Sequence, residues 1–366
     1  MSVNGLFHVP EKPYFLSHSV GCLPTSSESK LAENFLAPWK SSGGDAWGPW
    51  LGLIDDFCHG IGGLLGVKGK DICPQTNLSS SFTKFLMSIP KIQPKRNKVL
   101  MDKHAFPSMG FVAKALGEMG FELQLVDTNN SETEVQAWQS NIDAATLCVL
   151  ITHVHSNTGY VSDITKIANL ARENGAYSVV DIAQSVGILP INVQSWNASC
   201  VIGSCVKWLC GGPGAGFMWI EPTIVDSLCP VDVGWFSHQD PFEMDITHFQ
   251  YADGVKRFWG GTPSVVPYVF ANNGIRTIEH IGIDNIHAHN RELLQPVLQA
   301  FENQLITPID LNKNGGTLCL KMHQMALSKI CSKLDAGGAY YDTRGDTIRL
   351  SMHIYNDEKD LDLLIS

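Results

Sequence analysis

Short apolar runs alternate with amphipathic segments through the middle of the chain. The apolar runs predict β-strands at 98–102, 121–127, 145–152, 176–182, 199–205 and 216–220. The segments between the early strands predict helices at 108–119, 131–141 and 162–174. Strands that alternate with helices are typical of βαβ units, whose strands pair in parallel. Because runs such as CVLI are apolar throughout, we expect a sheet covered by helices on both faces.

The chain before this region has a different pattern. Residues 28–40 predict a helix that Pro38 closes, and residues 53–66 carry helical apolar spacing. Between them, GGDAWGPW at 43–50 predicts a loop rich in glycine and tryptophan, of the kind that often lines a binding site.

The chain beyond residue 265 predicts a smaller α+β unit. Its predicted elements are helices at 264–280 and 284–304 and strands at 317–322, 339–343 and 347–354. The final DEKDLDLLIS resembles a helix that stops early, so we expect a trimmed chain. The predicted organisation is an N-terminal segment at 1–50, a large α/β domain at 51–262 and a small C-terminal domain at 263–366.

Composition excludes several classes of protein. The chain has 366 residues, of which 44% are hydrophobic, so it can bury a large core. The net charge of −10 and the scattered basic residues argue against nucleic-acid binding. No apolar run approaches the ~20 residues that span a membrane, and the N-terminus lacks the pattern of a secretion signal. Several of the ten cysteines lie in apolar runs, which predicts reduced thiols in a cytoplasmic protein.

Polar side chains follow three of the predicted strands. They are Thr152 with His153 and His155, Asp181 with Gln184, and Ser204 with Lys207. Open parallel sheets bind ligands beyond the carboxyl ends of their strands, so we expect these groups to converge. The histidine pair lacks a third ligand of suitable spacing, so we expect no metal and a site-lining role for one of the two.

Lys207 and Asp181 are the candidate reactive pair. Lys207 follows an apolar run and precedes a glycine-rich turn, so burial should lower its pKa and make it a usable amine nucleophile. Asp181 closes a strand, where a carboxylate can pair with a cationic ring nitrogen. The alternatives are a lysine that extends to solvent from a strand end and an aspartate that caps the next turn.

Two further segments could hold the rest of a flat phosphorylated ligand. Ser79 and Ser80 open a predicted helix, whose N-terminus suits a phosphate group, although a helix capped by serine without a ligand is common. Thr262 precedes a proline at the start of another helix. Phe106, after the strand at 98–102, could stack on a flat ring or pack in the core.

The order of these pieces resembles a known group of enzymes. VVDIAQSVGILPINVQSW, followed by GSCVKWLCGGPGAGFMWI, resembles fold-type-I pyridoxal phosphate (PLP) enzymes of the class V aminotransferase group, and kynureninase most of all. FLSHSVGCLP, HAFPS, GWFSHQDPFEMD and RFWGGTPSV extend the resemblance from about residue 14 to the end. It implies the fold-type-I transferase fold and PLP as cofactor.

The resemblance implies roles for individual residues. Lys207 would form the Schiff base with PLP, Asp181 would pair with the ring nitrogen, and Gln184 would approach the ring hydroxyl. Phe106 and Thr152 would contact the ring, and the phosphate would be held by Ser79, Ser80 and Ser204. Trp235 and Thr262 would reach it from the other subunit, which implies a homodimer with shared sites. Arg349 would bind the α-carboxylate of the substrate, and His155 is expected to line the substrate site.

The chain also departs from the patterns that it resembles. Val206 replaces the Tyr of kynureninases and the His of desulfurases before the lysine, and Met109 replaces an aspartate-like position. The loop at 43–50 lacks the histidine that kynureninase directs at its substrate, and 335–348 lacks a nucleophilic cysteine. We therefore predict a PLP enzyme for an α-amino acid, aminotransferase-like or a kynureninase-like lyase. True kynureninase and a non-catalytic PLP-binding relative are the alternatives, and transamination, β-lyase, hydrolase and epimerase chemistry all remain open.

Overall fold

A seven-stranded mixed sheet organises the computed structural model, which describes residues 5–90, 95–128 and 133–365. The strands are β1 (Phe7–His8), β2 (Leu23–Pro24), β3 (Ile72–Gln75), β4 (Lys98–Asp102), β5 (Glu122–Val126), β6 (Thr146–Thr152), β7 (Tyr177–Asp181), β8 (Cys200–Ser204), β9 (Gly216–Ile220), β10 (Thr317–Lys321), β11 (Asp342–Arg344) and β12 (Thr347–Ser351). The large sheet has the order β3-β9-β8-β7-β6-β4-β5. Strands β8, β7, β6, β4 and β5 are parallel, while β9 is antiparallel to β8 and to β3.

Helices cover both faces of this sheet. They are α1 (Ser27–Leu31), α2 (Ala37–Ser42), α3 (Trp47–Leu65), α4 (Leu78–Ser88), α5 (Pro107–Ala115), α6 (Glu134–Asn141), α7 (Ile164–Glu173), α8 (Val266–Ile281), α9 (Ile283–Ala300), α10 (Gln324–Ala336) and α11 (Glu358–Ile365). Alternate residues of β6 enter different cores: Val149 and Ile151 join α3, α7 and α8, while Cys148 and Leu150 join α4 and α5. The predicted α/β fold with two covered faces is confirmed. The first two residues of the predicted helix at 131–141 lie outside the described residues, and α6 covers Glu134–Asn141.

Two predictions for the N-terminal region are wrong. The predicted loop at 43–50 forms a 3-10 turn at Gly43–Ala46 and the first turn of α3, where the missing N–H of Pro49 costs no hydrogen bond. The helix predicted to close at Pro38 continues through it to Ser42. Residues 32–36 form a wider helical turn, which makes room for the proline ring, and Gly43 ends the helix with φ of +56°.

A third core holds the C-terminal part of the chain. The sheet β10-β12-β11 packs with α9, α10 and α11 around residues such as Leu294, Leu320 and Leu350. Helix α8 instead packs on α3 and contributes Ile275 to the core of the large sheet. The domain boundary predicted at residue 263 stays a prediction.

The segment from Tyr14 to Gly21 connects the two sheets. Phe15 donates its N–H to the carbonyl of Tyr340 at 2.8 Å and accepts from the N–H of Ser351 at 3.0 Å. This pairing explains why the strand predicted at 339–343 starts only at Asp342. The N–H of Gly21 donates to the carbonyl of Val206 at 2.9 Å. The segment therefore joins β12 to the loop that carries Lys207.

Replacing Gly21 with alanine is expected to lower the free energy of unfolding. A Cβ at this position would lie 2.2 Å from the carbonyl oxygen of Lys207 and 2.6 Å from Sγ of Cys210. Overpacking of this kind costs about 1–3 kcal/mol. Calorimetry of Gly21→Ala should show a lower melting temperature. Gly44→Ala is the matched control, because a Cβ there meets no atom within 4 Å; equal melting temperatures for both variants would contradict the close packing.

The ten cysteines all lie in described segments and none is in a disulfide bond. Across the described ranges, no helix combines the length and the hydropathy needed to cross a membrane. No group of three His, Cys, Asp or Glu side chains that could hold a metal ion occurs in the part of the chain that the structure describes.

Candidate active site

A cavity of about 670 Å³ lies at the carboxyl ends of β6, β7 and β8. Each of these strands ends in a polar residue: Thr152, Asp181 or Ser204. Parallel sheets bind ligands at this edge. Seven of the predicted site residues line it together: Ser79, Phe106, Thr152, Asp181, Gln184, Ser204 and Lys207. The expected convergence of three strand ends is therefore observed.

Lys207 lies in the turn between β8 and the antiparallel β9. Two backbone hydrogen bonds brace this turn, from the N–H of Cys205 to Ala215 and from the N–H of Cys210 to Lys207, both 3.0 Å long. Burial lowers the pKa of the Lys207 amine to about 8; Arg349 and Arg344 lower it too, while Asp181 acts in the opposite direction. Nζ lies 5.7 Å from the ring centroid of Phe106. The amine is therefore available as a nucleophile at the cavity wall.

Asp181 ends β7 as a buried carboxylate. Its Oδ1 accepts the N–H of Ala183 at 2.9 Å. Burial raises the pKa of Asp181, and the hydrogen bond to Ala183 and the charge of Lys207 lower it in part. Among the described residues Asp181 forms no ion pair. Because an ionised carboxylate is costly to bury alone, this position favours a cationic or N–H donor from a ligand.

Two more polar atoms point to a ligand in the cavity. Oγ1 of Thr152 and Oε1 of Gln184 are buried without a hydrogen-bond partner in the described structure. The amide nitrogen of Gln184 is fixed by a 3.0 Å bond to the carbonyl of His18, so its oxygen is held in place. Buried polar atoms are normally paired, and a polar ligand would satisfy both oxygens.

The N-terminus of α4 closes one end of the cavity. Asn77 caps the helix, accepting the N–H of Ser80 at 2.9 Å through Oδ1. The cap leaves the N–H groups of Leu78 and Ser79 without intrahelical partners, and both residues line the cavity. An anion is favoured here by these N–H groups and by the helix dipole. Ser204 lines the same cavity.

Ser80 and Thr262 border a different cavity from Ser79. This second cavity, also of about 670 Å³, is lined in addition by Lys84 and Tyr268. Trp235 contacts Trp47 and Phe242 edge-on, and its buried Nε1 has no partner among the described residues. Within one chain, Trp235 and Thr262 therefore lie outside the lining of the Lys207 cavity.

Arg349 already holds a carboxylate of its own chain. Its Nε donates to Oδ1 of Asp342 at 2.9 Å, its Nη2 donates to Oδ2, and its Nη1 donates to the carbonyl of Ser156 at 2.8 Å. Asp342 lies directly opposite Arg349 in the β11–β12 pair. His18 approaches the same carboxylate at 3.2 Å, and together the two partners hold the pKa of Asp342 well below its ordinary value against the effect of burial.

His155 is placed away from the cavity. Its Nε2 pairs with Oγ of Ser162 at 3.2 Å, and its Nδ1 lies 3.8 Å from Asp102. Burial lowers the pKa of His155 to about 4, so the ring is neutral. The predicted contact of His155 with substrate has no support in its position, because the buried ring contacts Ser162 and Tyr160 and does not line the cavity.

Comparison with known proteins assigns the chain to a family. The model of the family described as "Aminotransferase class-V" matches residues 64–364, most of the sequence. The chain belongs to the class V aminotransferase family. The predicted recognition, the fold type and the PLP dependence are thereby confirmed.

Individual relatives share the whole length of this class V protein. A kynureninase from Pseudomonas fluorescens is 26% identical over 364 residues, which cover 92% of this chain and 84% of the relative. An uncharacterized aminotransferase, YcbU, from Bacillus subtilis is 24% identical over 97% of this chain and 96% of its own. The apo structure of a cysteine desulfurase from Thermococcus onnurineus superposes with a TM-score of 0.86 at 19% identity, over 97% and 93% of the two chains. The last comparison shows the shared fold.

The cavity fits the cofactor of the class V family. A flat pyridine ring needs one aromatic wall, a carboxylate for its nitrogen and partners for its oxygen, and these are present in Phe106, Asp181 and the unpaired oxygens of Thr152 and Gln184. The end formed by α4 suits the phosphate. The fit of the cofactor to the cavity therefore rests mainly on the oxygens of Thr152 and Gln184, which lack other partners in the described structure.

Sequence reasoning missed several residues of the class V site. Ser108, Val154, Ser156 and Ala183 also line the cavity. Asn77 lines it too, and the polar turn QTNLSS does predict Asn77 at the start of the helix that Ser79 and Ser80 open. The partners of Arg349 gave no sequence signal, since their contact depends on the register of two strands.

Uptake of PLP by the apoprotein is expected to accelerate with pH, with a midpoint near 8. The neutral Lys207 amine is the reactive form, and burial lowers its pKa from the ordinary lysine value to about 8. Stopped-flow absorbance at a series of pH values measures the midpoint. Asp181→Asn should move the midpoint down, because the Asp181 charge raises the Lys207 pKa. A midpoint near 10 in the wild type would contradict the burial of the amine.

Proposed function

We propose that this class V enzyme uses PLP to transform an α-amino acid, with Lys207 as the covalent attachment point. The observation that carries the proposal is the pairing of a buried amine and a buried carboxylate, Lys207 and Asp181, at one cavity with unpaired polar oxygens. This combination supports an enzyme over a non-catalytic relative, because both groups cost stability where no ligand binds them.

Each side chain of such a site has a separate role. PLP, when bound, withdraws electrons from the α-carbon of the substrate. Asp181 accepts a hydrogen bond from the ring nitrogen and keeps it protonated. Thr152 and Gln184 donate or accept at the polar edge of the ring, and Phe106 covers one face. Nζ of Lys207, once free, takes and returns the proton of the α-carbon.

We assign the phosphate to the N-terminus of α4 and the carboxyl end of β8. Ser79 and the free N–H groups of the first turn bind the phosphate together with Ser204. Arg349 binds the substrate α-carboxylate through the donors that Asp342 and Ser156 leave open. The positions of the residues and the resemblance described above support these assignments.

Two reaction types are in competition. We propose an aminotransferase-like reaction or a kynureninase-like Cβ–Cγ cleavage, since the relative from Bacillus subtilis is named an aminotransferase and that from Pseudomonas fluorescens a kynureninase. Val206 argues against full kynureninase chemistry, because its apolar side chain offers no hydroxyl beside Lys207. Residues 335–348 contain no cysteine, which argues against desulfuration.

Incubating the purified holoenzyme with a panel of amino acids tests the function. Mass spectrometry should detect pyridoxamine phosphate and a keto acid after transamination, or alanine and anthranilate after cleavage of kynurenine. A yellow protein that loses its colour on borohydride treatment is expected in either case. A colourless protein that ignores added PLP would show that the proposal is wrong.

We also propose a cytoplasmic homodimer. The unpaired Nε1 of Trp235 and the position of Thr262 beside Ser80 support a contribution to the phosphate site of a second subunit. The ten free cysteines support a reducing compartment. Sedimentation should give a dimer, and mixing inactive Lys207→Ala with inactive Trp235→Ala subunits should restore activity in hybrids. A fully active monomer would exclude shared sites.

A further inference from the structure

A third cavity adjoins the Lys207 cavity and has a cationic lining. It opens to solvent, and Ser156 lines both it and the Lys207 cavity. Its charged lining consists of Lys103, Lys321, Arg344 and Arg349, and no Asp or Glu is among the described residues that line it. Ala105, Pro107 and Ile306 form its apolar wall. A ligand that extends from the Lys207 cavity past Ser156 therefore reaches a surface that is partly cationic and partly apolar.

The β11–β12 hairpin places both arginines of this cavity together. Asp342 lies opposite Arg349, and Arg344 lies opposite Thr347. Residues two apart in a strand face the same side, so Arg344 shares the face of Asp342 and therefore of Arg349. The hairpin carries two guanidinium groups and one carboxylate on that face.

Of the four lysines and arginines that line this cavity, Arg344 is the one that forms no ion pair with a carboxylate in the described structure. Lys103 pairs with Asp127 at 2.5 Å, Lys321 with Asp346 at 3.3 Å, and Arg349 with Asp342. Among the described residues Arg344 forms no ion pair, and its one side-chain hydrogen bond is a 3.5 Å contact from Nη1 to Oγ of Ser156. The cavity therefore carries an uncompensated positive charge beside the residue that joins it to the Lys207 site.

This charge acts on the reacting amine. Arg344 and Arg349 each lower the pKa of Lys207, so both guanidinium groups lie within electrostatic reach of Nζ. Burial and the repulsion of Arg349 also lower the pKa of Arg344 itself. An anion between Arg344 and the apolar wall would relieve this repulsion and would replace the missing carboxylate.

We propose that Arg344 binds a second anionic group on the substrate, so that the substrate is an α-amino acid with an acidic side chain. This inference rests on the proposed function, because it places the α-amino group at Lys207 and the α-carboxylate at Arg349. The distal acid then extends past Ser156 to Arg344. Arg344 selects between acidic and neutral side chains of the same shape.

Pairs of amino acids that differ only in charge test the proposal. The holoenzyme is titrated with L-glutamate against L-glutamine and with L-aspartate against L-asparagine, and the dissociation constants are read from the change in cofactor absorbance. At least one acid should bind about tenfold to a hundredfold more tightly than its amide, as expected for a charge-assisted pair. In Arg344→Met this ratio should fall to about two or less, while Arg344→Lys should keep part of it.

A control variant and two contradicting results complete the test of Arg344. Arg276→Met removes an exposed arginine that pairs with Asp56 and lines neither cavity, and it should leave the ratio unchanged. Equal affinities for acids and amides in the wild type, or an unchanged ratio in Arg344→Met, would overturn the second anionic site while leaving PLP chemistry in place. A holoenzyme whose spectrum responds to no amino acid, alanine included, would overturn the proposed function and this inference together.

Discussion

Replacing Lys207 with alanine is expected to reduce turnover by about 10⁴-fold, since one side chain serves both as the attachment point of the cofactor and as the base. The buried amine has no substitute in the cavity, because no other lysine and no histidine is among the described residues that line it. Steady-state rates with the preferred amino acid measure the loss. The visible absorbance that borohydride removes in the wild type should be absent.

The control for Lys207→Ala is Lys166→Ala, which removes an exposed lysine on α7 that pairs with Asp163. Its rates should equal those of the wild type. A small primary amine added to Lys207→Ala supplies a base from solution and should restore part of the activity. Wild-type rates in Lys207→Ala itself would refute the assignment of the base.

Replacing Asp181 with asparagine is expected to lower turnover by about 10³-fold and to stabilise the apoprotein. Asparagine keeps an oxygen for the N–H of Ala183 but removes the charge that holds a ring nitrogen protonated. Burial raises the pKa of Asp181, so the ionised form costs stability at neutral pH, where no ligand neutralises it. Turnover and the melting temperature of the apoprotein should therefore move in opposite directions.

Asp102→Asn is the matched comparison for Asp181→Asn. Asp102 is also a buried aspartate at a strand end, but its carboxylate already accepts from the N–H of His104 at 2.6 Å and from Oγ1 of Thr128 at 2.5 Å. Its substitution should lower the melting temperature. Destabilisation of the apoprotein by both substitutions would show that Asp181 is a structural residue with partners of its own.

The apolar pattern predicted β4, β6, β7, β8 and β9 because nearly all of their residues are buried, and it also predicted the more exposed edge strand β5. It missed β3, since Pro74 and Gln75 interrupt the run at Ile72–Gln75. This strand is an edge strand that pairs with β9 alone, where a proline is tolerated because one side of the backbone needs no partner. In the large sheet, the sequence therefore predicted the strands with an uninterrupted run and missed the edge strand that contains a proline.

The same distinction holds for the site. Lys207, Asp181 and Thr152 were predictable, because each follows or ends a buried strand and stands out as polar against its surroundings. Asp342 and Arg344 lie in a short, half-exposed strand whose composition resembles any surface hairpin. Their importance comes from register with Arg349, which is a property of pairing and not of composition.

The segment from Tyr14 to Gly21 gives the two halves of the site different folding requirements. The Lys207 half is built from contiguous strands between residues 177 and 220, so it forms by closing short loops. The Arg349 half depends on hydrogen bonds such as that from Ser351 to Phe15, which join opposite ends of the chain. Because closing a longer loop costs more chain entropy, a nascent chain can complete the lysine half well before the arginine half. The part of the cofactor pocket around Lys207 and Asp181 can therefore form before the substrate pocket around Arg349.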